Sequence, residues 1–204
     1  MKTIIFQLIF LTVMTNLTAQ NYRKAKEAQG LEVGQQAPVF SAKDANDETF
    51  QLSEKLKTGP VVVIFYRGQW CPVCNKHLSQ IQENLEEIMA EGATVVAVSP
   101  EKPEFLEQTA KKTGARFSLL FDQDYKIADA YDVTFLPGKM TRTMYNTMLR
   151  ANLKEAHSDD SQRLPIPATY VINTDGKIVW RHFDPDYKKR STVDAIVAAL
   201  GSIQ

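Results

Sequence analysis

The chain has 204 residues, 44% of them apolar, which suits one domain of ordinary size with a core of its own. Lys plus Arg and Asp plus Glu number 24 each, so the formal net charge is zero, which argues against nucleic acid or an anionic membrane surface as partner. Two cysteines are too few for a disulfide scaffold.

Residues 1–20 read as a secretory signal peptide: Lys2 gives a positive start, Ile4 to Val13 an apolar run, and Ala19 a small residue for cleavage. The run falls short of the about 20 apolar residues that span a bilayer. An amphipathic N-terminal helix or a retained anchor is the alternative. No cysteine follows the run, which argues against a bacterial lipid anchor. The mature chain is expected to start near Gln20 or Asn21. Its expected place is periplasmic or secreted, where disulfides persist, with no stable membrane insertion after cleavage.

Asn21 to Gly34 is polar, with a short helix expected at Tyr22 to Gln29. Ala37 to Phe40 begins an edge element, since proline suits sheet margins, and Phe50 to Leu52 is its expected hairpin partner. Val61 to Tyr66 is wholly β-branched or aromatic and reads as a buried strand. Arg67 to Trp70 form a turn. Cys71 then takes the N-cap of a helix, with Pro72 at the first helical position, where a missing N–H costs nothing. Leu78, Ile81, Leu85 and Ile88 recur at steps of three and four, predicting a helix to about Glu91 that Gly92 caps.

Both cysteines lie in this stretch, as Cys71-x-x-Cys74. A thiolate at the N-cap faces free backbone N–H groups and the positive end of the helix dipole, which lowers a thiol pKa from about 8.5. Strand, turn, dithiol and helix therefore read as a redox device. A purely stabilising disulfide is a weaker account, because so short a loop constrains the unfolded chain by only about 2 kcal/mol, against about 4.7 for a loop of about 100 residues. A metal site is weaker still. Cys71, Cys74 and His77 share one helix end, but structural zinc takes four ligands, no second C-x-x-C exists, and His157 and His182 lie far off. Neither metal nor cofactor is expected.

Thr94 to Ser99 is a second buried strand. Pro100 to Lys112 reads as a helix with Phe105, Leu106, Thr109 and Ala110 inward, and Gly114 ends it. Phe117 to Phe121 is a third strand and Asp124 to Tyr131 a short helix. The β-α-β-α-β order predicts a parallel sheet covered by helices. Asp132 to Arg163 breaks the alternation. Met140, Met144, Tyr145, Met148 and Leu149 predict a helix with a methionine-rich face, read as core packing in preference to an adaptable docking surface. His157 to Ser161 is a loop. Thr169 to Ile172 and Lys177 to Trp180 are strands joined by the hairpin signal Asn173-Thr174-Asp175-Gly176. Asp184 to Arg190 is a polar connection, and Ser191 is the expected cap of a last helix through Leu200, stopped by Gly201.

Among single residues, Trp70 reads as the wall of a substrate groove, His77 as surface decoration, and Arg67 and Lys76 as solvated. A charge from Arg67 that lowers a thiol pKa is the alternative for that residue. Asp122, Asp124 and Tyr125 sit at a strand end without being singled out.

FYRGQWCPVC followed by an amphipathic helix, together with LPIPATYVINTDGKIVWRHFDPDYKKR, resembles the peroxiredoxin-like branch of the alkyl hydroperoxide reductase/thiol-specific antioxidant family. The resemblance covers roughly Gly34 to Leu200. It implies a thioredoxin-like α/β fold over residues 34–204, a central mixed sheet flanked by helices.

Peroxiredoxins place the attacking cysteine at the end of Pro-x-x-x-Thr/Ser-x-x-Cys. Laid on this chain, Cys74 takes that position, Cys71 replaces the Thr or Ser, and Arg67 replaces the Pro. Pro167 stands where the family has a distal Arg. Trp70-Cys71-Pro72-Val73-Cys74 is instead similar to the thioredoxin signature, with Ile166-Pro167 at the cis-proline position, where the preceding backbone turns outward to pair with an extended substrate. The resemblance thus implies Cys71 and Cys74 as catalytic residues, with Trp70, Arg67, Ile166 and Pro167 binding substrate.

Two mechanisms are implied. In one, Cys71 is an exposed nucleophile toward a protein disulfide and Cys74 resolves the mixed disulfide. In the other, Cys74 attacks a peroxide and becomes a sulfenic acid, which Cys71 condenses. Both end in a Cys71–Cys74 disulfide that an external thiol donor, such as a thioredoxin-like protein, reduces. The expected function is an exported, thiol-dependent antioxidant oxidoreductase acting on peroxides. The alternatives are a protein-disulfide reductase and a non-catalytic redox sensor.

Overall fold

The computed structural model of the protein describes residues 23–203, so the segment read as a signal peptide lies outside the described residues. Of the helix expected near the start, Ala25–Glu27 forms a single 3-10 turn. Ser41–Lys43 (β1) pairs antiparallel with Thr49–Gln51 (β2), with Ala42 opposite Phe50. The hairpin begins later than Ala37 because Pro38 has no N–H for a ladder. Ala37 instead donates its N–H to Gly176 at 2.8 Å.

The chain continues through Leu52–Lys55 (α1), Val61–Phe65 (β3), Pro72–Glu83 (α2), Leu85–Ala90 (α3), Thr94–Ser99 (β4), Pro103–Thr113 (α4) and Ser118–Phe121 (β5). Lys126–Ala130 (α5), Thr134–Phe135 (β6), Lys139–Met148 (α6), Leu153–Ala156 (α7) and Leu164–Pro165 (β7) follow. Ala168–Ile172 (β8), Ile178–Phe183 (β9) and Val193–Gly201 (α8) close the fold.

The main sheet runs β5-β4-β3-β8-β9. β3 pairs parallel with β4 and antiparallel with β8, so the sheet is mixed and β3 lies at its centre. Alternation along β3 feeds two cores. Val62, Ile64 and Tyr66 pack on one face with Leu78, Ile81, Leu85, Ile88 and Leu200. Val61, Val63 and Phe65 pack on the other with Phe50, Leu52, Ile127 and Tyr131. This is the thioredoxin-like α/β architecture.

The expected single helix after the dithiol is two. Asn84 leaves the helical region (φ −114°, ψ 22°), and its side-chain amide donates to the Gln80 carbonyl at 2.8 Å. Such side-chain bonding competes with the backbone ladder. All four apolar residues nevertheless stay buried across the break. α8 is capped by Thr192, whose hydroxyl accepts from the Ala195 N–H at 3.2 Å, and not by Ser191. Gly201 is the last residue of that helix and not its stop.

The methionine face corrects the core-packing expectation. Met140 and Met148 are 88% and 77% exposed, while Tyr145 is buried. Met140, Met144 and Met148 follow at i, i+4 and i+8 along one face, and Tyr145 lies about 100° round from Met144. One helix thus turns its ring inward and its thioethers out. The excursion 132–163 is also tied to the body. Glu101 bridges to His157, and Lys102 donates its N–H to Ala156 at 2.8 Å.

Candidate active site

β3 ends by handing Tyr66 to its neighbour strand, the Tyr66 N–H donating to Val98 at 3.1 Å. The chain then turns through Arg67–Trp70. Gly68 sits at φ +150°, and a Cβ there would collide with the Glu101 carboxyl and the Trp70 indole. Its carbonyl accepts the Cys71 N–H at 3.1 Å. Cys71 is the N-cap of α2, as its position before Pro72 predicts, and its sulfur accepts the Cys74 N–H at 3.2 Å. Cys71 and Cys74 form a disulfide with Cα atoms 5.2 Å apart.

Neither sulfur is open to solvent. Cys71 is 2% exposed and Cys74 0%, which corrects the picture of Cys71 as an exposed nucleophile. The pair belongs to the same buried apolar cluster as Leu78, Trp70 and Ile166.

Two guanidinium groups supply the charge. Arg190 places Nη2 at 3.4 Å from Cys74 Sγ. Burial, then the charge of Arg67, pulls Arg190 down to about 10, so it is still a cation at neutral pH. Arg67 is buried and not solvated. Its Nη1 donates to the Tyr145 hydroxyl at 3.1 Å, and its guanidinium lies 4.0 Å from the Tyr187 ring centroid. Desolvation lowers its pKa, and the two tyrosines offset part of that cost through a hydrogen bond and cation–π contact. Trp70 is buried against Tyr145, with ring centroids 4.9 Å apart, so it is a packed residue more than an open wall.

Behind the turn lies Glu101, fully buried. Oε2 accepts the Gln69 N–H at 2.8 Å, and Oε1 has no hydrogen-bond partner among the described residues. Burial pushes this carboxyl up to about 8. His77 is buried too, its Nε2 at 3.0 Å from the Ser191 hydroxyl, which is itself 2.9 Å from that of Thr169. Burial, then the Arg190 charge, pulls His77 down to about 4, so it is neutral at pH 7. Neither the surface role for His77 nor the capping role for Ser191 stands, because each satisfies the other in the interior.

Ile166 and Pro167 are both buried, and the bond between them is trans. The Ile166 N–H donates to Val133 at 2.7 Å, so the backbone expected to turn outward is already paired within the fold. Asp122 caps α5, accepting from the N–H groups of Ile127 and Ala128 at 2.8 and 2.9 Å. Tyr125 donates to the Arg163 carbonyl at 2.6 Å and meets His157 Nδ1 at 2.7 Å. Tyr125 thus ties the excursion at His157 and Arg163, while Asp122 serves the first turn of α5. Among the described residues no cluster of His, Cys, Asp and Glu is arranged to hold a metal ion, and no helix is long and apolar enough to cross a membrane.

Arg67, Trp70, Cys71 and Cys74, expected at the site from the sequence, all lie buried in the turn and first helical turn after β3. Sequence reasoning misses Arg190, Tyr145, Tyr187 and Glu101, which the fold brings to them. One signal pointed to Arg190: Lys188-Lys189-Arg190 runs straight into a helix N-terminus, where the dipole disfavours cations. A cation kept there has another partner.

Residues 33–181 match the AhpC/TSA family. The chain is 32% identical over 145 residues to the chloroplastic peroxiredoxin Q of Populus jackii, covering 64% of this chain and 66% of that protein. It is 27% identical over 167 residues to peroxiredoxin Bcp of Escherichia coli, covering 82% and 94%. It is 26% identical over 152 residues to the thiol-disulfide oxidoreductase ResA of Bacillus subtilis, covering 74% and 67%. Among solved structures, peroxidoxin BcpB of Mycobacterium tuberculosis superposes with a TM-score of 0.65 at 22% identity, over 85% of this chain and 99% of that one, a likeness of fold.

Proposed function

This chain belongs to the AhpC/TSA family as a peroxiredoxin-like thiol oxidoreductase, and on that premise we propose that it reduces hydroperoxides through Cys74, with Cys71 as the resolving thiol. The observation that carries the reading is the Arg190 guanidinium at 3.4 Å from Cys74 Sγ. A cation there favours the Cys74 thiolate, the form that attacks. Both sulfurs are enclosed, which suits a small oxidant better than a folded protein disulfide.

In the reduced protein, Cys74 thiolate displaces alkoxide from the O–O bond, becoming a sulfenic acid while the alkoxide takes a proton and leaves as alcohol. Cys71 thiolate then attacks the sulfenic sulfur. Hydroxide departs, becoming water on protonation, and the Cys71–Cys74 bond forms. An external thiol donor returns the pair to dithiol. The apolar run near the N-terminus supports export, with a periplasmic or secreted site of action.

A second reading, thiol-disulfide reductase, draws on Cys71 at the helix N-cap and on the similarity to ResA. Stopped-flow mixing of reduced protein with hydrogen peroxide, followed by Trp70 and Trp180 fluorescence, separates the two. On the peroxidase reading, Cys71→Ser consumes one equivalent of peroxide and leaves a trappable sulfenic acid at Cys74, while Cys74→Ser is inert. A rate no faster than that of free cysteine, with insulin reduction abolished by Cys71→Ser, overturns it in favour of the reductase.

A further inference from the structure

A groove of about 800 Å³ runs between the first turns of α2 and the segment that enters α8. Pro72 and Val73, the residues between the two cysteines, form part of its wall. Lys76, Lys188 and Arg190 line it as cations, and Glu83 is the one carboxylate among its lining residues. His77 and Ser191, paired and uncharged at neutral pH, complete the inner side. Arg190 belongs to two places at once: it lines the groove, and its Nη2 rests on Cys74 Sγ.

We propose that this groove seats the reductant, and that the reductant is a small thiol carrying carboxylates. The inference rests on the reading above only in taking the Cys71–Cys74 disulfide as the oxidised form to be reduced. Three cations against one anion select negative charge, and the volume falls in the range of about 300–1,000 Å³ that holds small ligands. The position selects a thiol, because the wall of the groove is the redox loop itself.

The charge also has a mechanical consequence. A carboxylate paired with Arg190 draws the guanidinium toward the groove and uncovers Cys74 Sγ. The ligand's thiolate then attacks Cys74 Sγ, and the electron pair of the broken S–S bond leaves on Cys71. That sulfur is the better leaving group, since it sits at the helix N-cap and accepts the Cys74 N–H. A second thiolate attacks the ligand sulfur of the mixed disulfide and frees Cys74 thiolate. Two thiols are oxidised to one disulfide, the protein disulfide is reduced, and the two thiol protons pass to the freed cysteines.

The test uses protein oxidised beforehand with diamide, so that it does not depend on peroxide chemistry. Glutathione is the carboxylate-bearing probe and 2-mercaptoethanol the uncharged control, with free thiols quantified by rapid alkylation and mass spectrometry. The expected rate with glutathione is hyperbolic in concentration. Per thiolate, it exceeds the control at low salt by about tenfold or more and falls toward it as salt rises. The exposed pair Lys76→Glu and Lys188→Glu should abolish saturation and lower the glutathione rate by about tenfold more than the 2-mercaptoethanol rate. Rates linear in both thiols, equal per thiolate and indifferent to the double substitution, overturn the proposal. In that case peroxide consumption with dithiothreitol as donor still stands or falls separately.

Discussion

The guanidinium of Arg190 stands 3.4 Å from the sulfur of Cys74 across 116 residues of chain. The β8–β9 hairpin and the polar connection after it bring the one to the other. Removing that cation is expected to shift the thiolate absorbance of the reduced protein to higher pH and to slow its reaction with peroxide. Arg190→Met should lose about tenfold or more in the second-order rate, and Arg190→Lys should recover part of it. Ultraviolet titration and stopped-flow rates on the same samples check both.

His77, Ser191 and Thr169 form a closed chain of buried hydrogen bonds between α2, the entry to α8 and β8. Ser191→Ala leaves the His77 Nε2 without its partner, and the expected cost is about 1–3 kcal/mol in urea unfolding. Ser191→Thr, which keeps the hydroxyl, is expected to recover most of it.

Opposed titrations shape the stability of the fold. Glu101 holds its proton up to about 8 in the folded chain, against an ordinary value of 4.5. Its contribution is therefore complete below about 4.5 and is lost as pH rises through 8. His77 and His157 are both held down to about 4 from 6.5, so their contribution is complete above about 6.5 and is lost as pH falls through 4. Glu101→Gln removes the alkaline slope alone. Urea midpoints taken from about pH 5 to 9 should fall with rising pH in the parent more steeply than in the variant.

The methionines of α6 carry little of the folding energy. Met140→Gln and Met148→Gln are expected to change stability by no more than about 0.5 kcal/mol. Leu78→Ala, within the core beneath the dithiol, should cost about 2–5 kcal/mol. Equal losses at the two kinds of site would mean that the thioethers are covered in solution.

Gly68 has room for no side chain. Gly68→Ala drives a methyl into Glu101 and Trp70 at a backbone angle that L residues rarely adopt. The expected result is a shifted Trp70 emission together with lower stability, and Glu101→Ala in the same chain should relieve part of the clash.

Much of this molecule is legible in its sequence because its period-two and period-3.6 patterns agree with its turns. Val61–Phe65 is apolar throughout because both faces of the sheet are covered, and Cys71-Pro72 marks a helix start by elementary backbone chemistry. The Asn173–Gly176 hairpin follows from residue type in the same way. What was hidden depends on distant pairing. Nothing local tells that Arg67 will lie under Tyr187, that Ser191 will serve His77 and not its own helix, or that Arg190 will reach a sulfur. A methionine face reads alike whether it meets a core or water, and only the packing of Tyr145 decides which way α6 turns. Nor does anything local tell that the Ile166 N–H will pair with the Val133 carbonyl.

Glu101 is gripped from two directions: its backbone bridges to His157 at the far end of the excursion, and its carboxyl oxygen accepts the Gln69 N–H of the redox turn. A chimera that exchanges residues 132–163 for those of a relative therefore also unfastens the shoulder of the dithiol. Engineers grafting either segment onto another scaffold must carry this glutamate across with it, since one side chain serves as the common rivet.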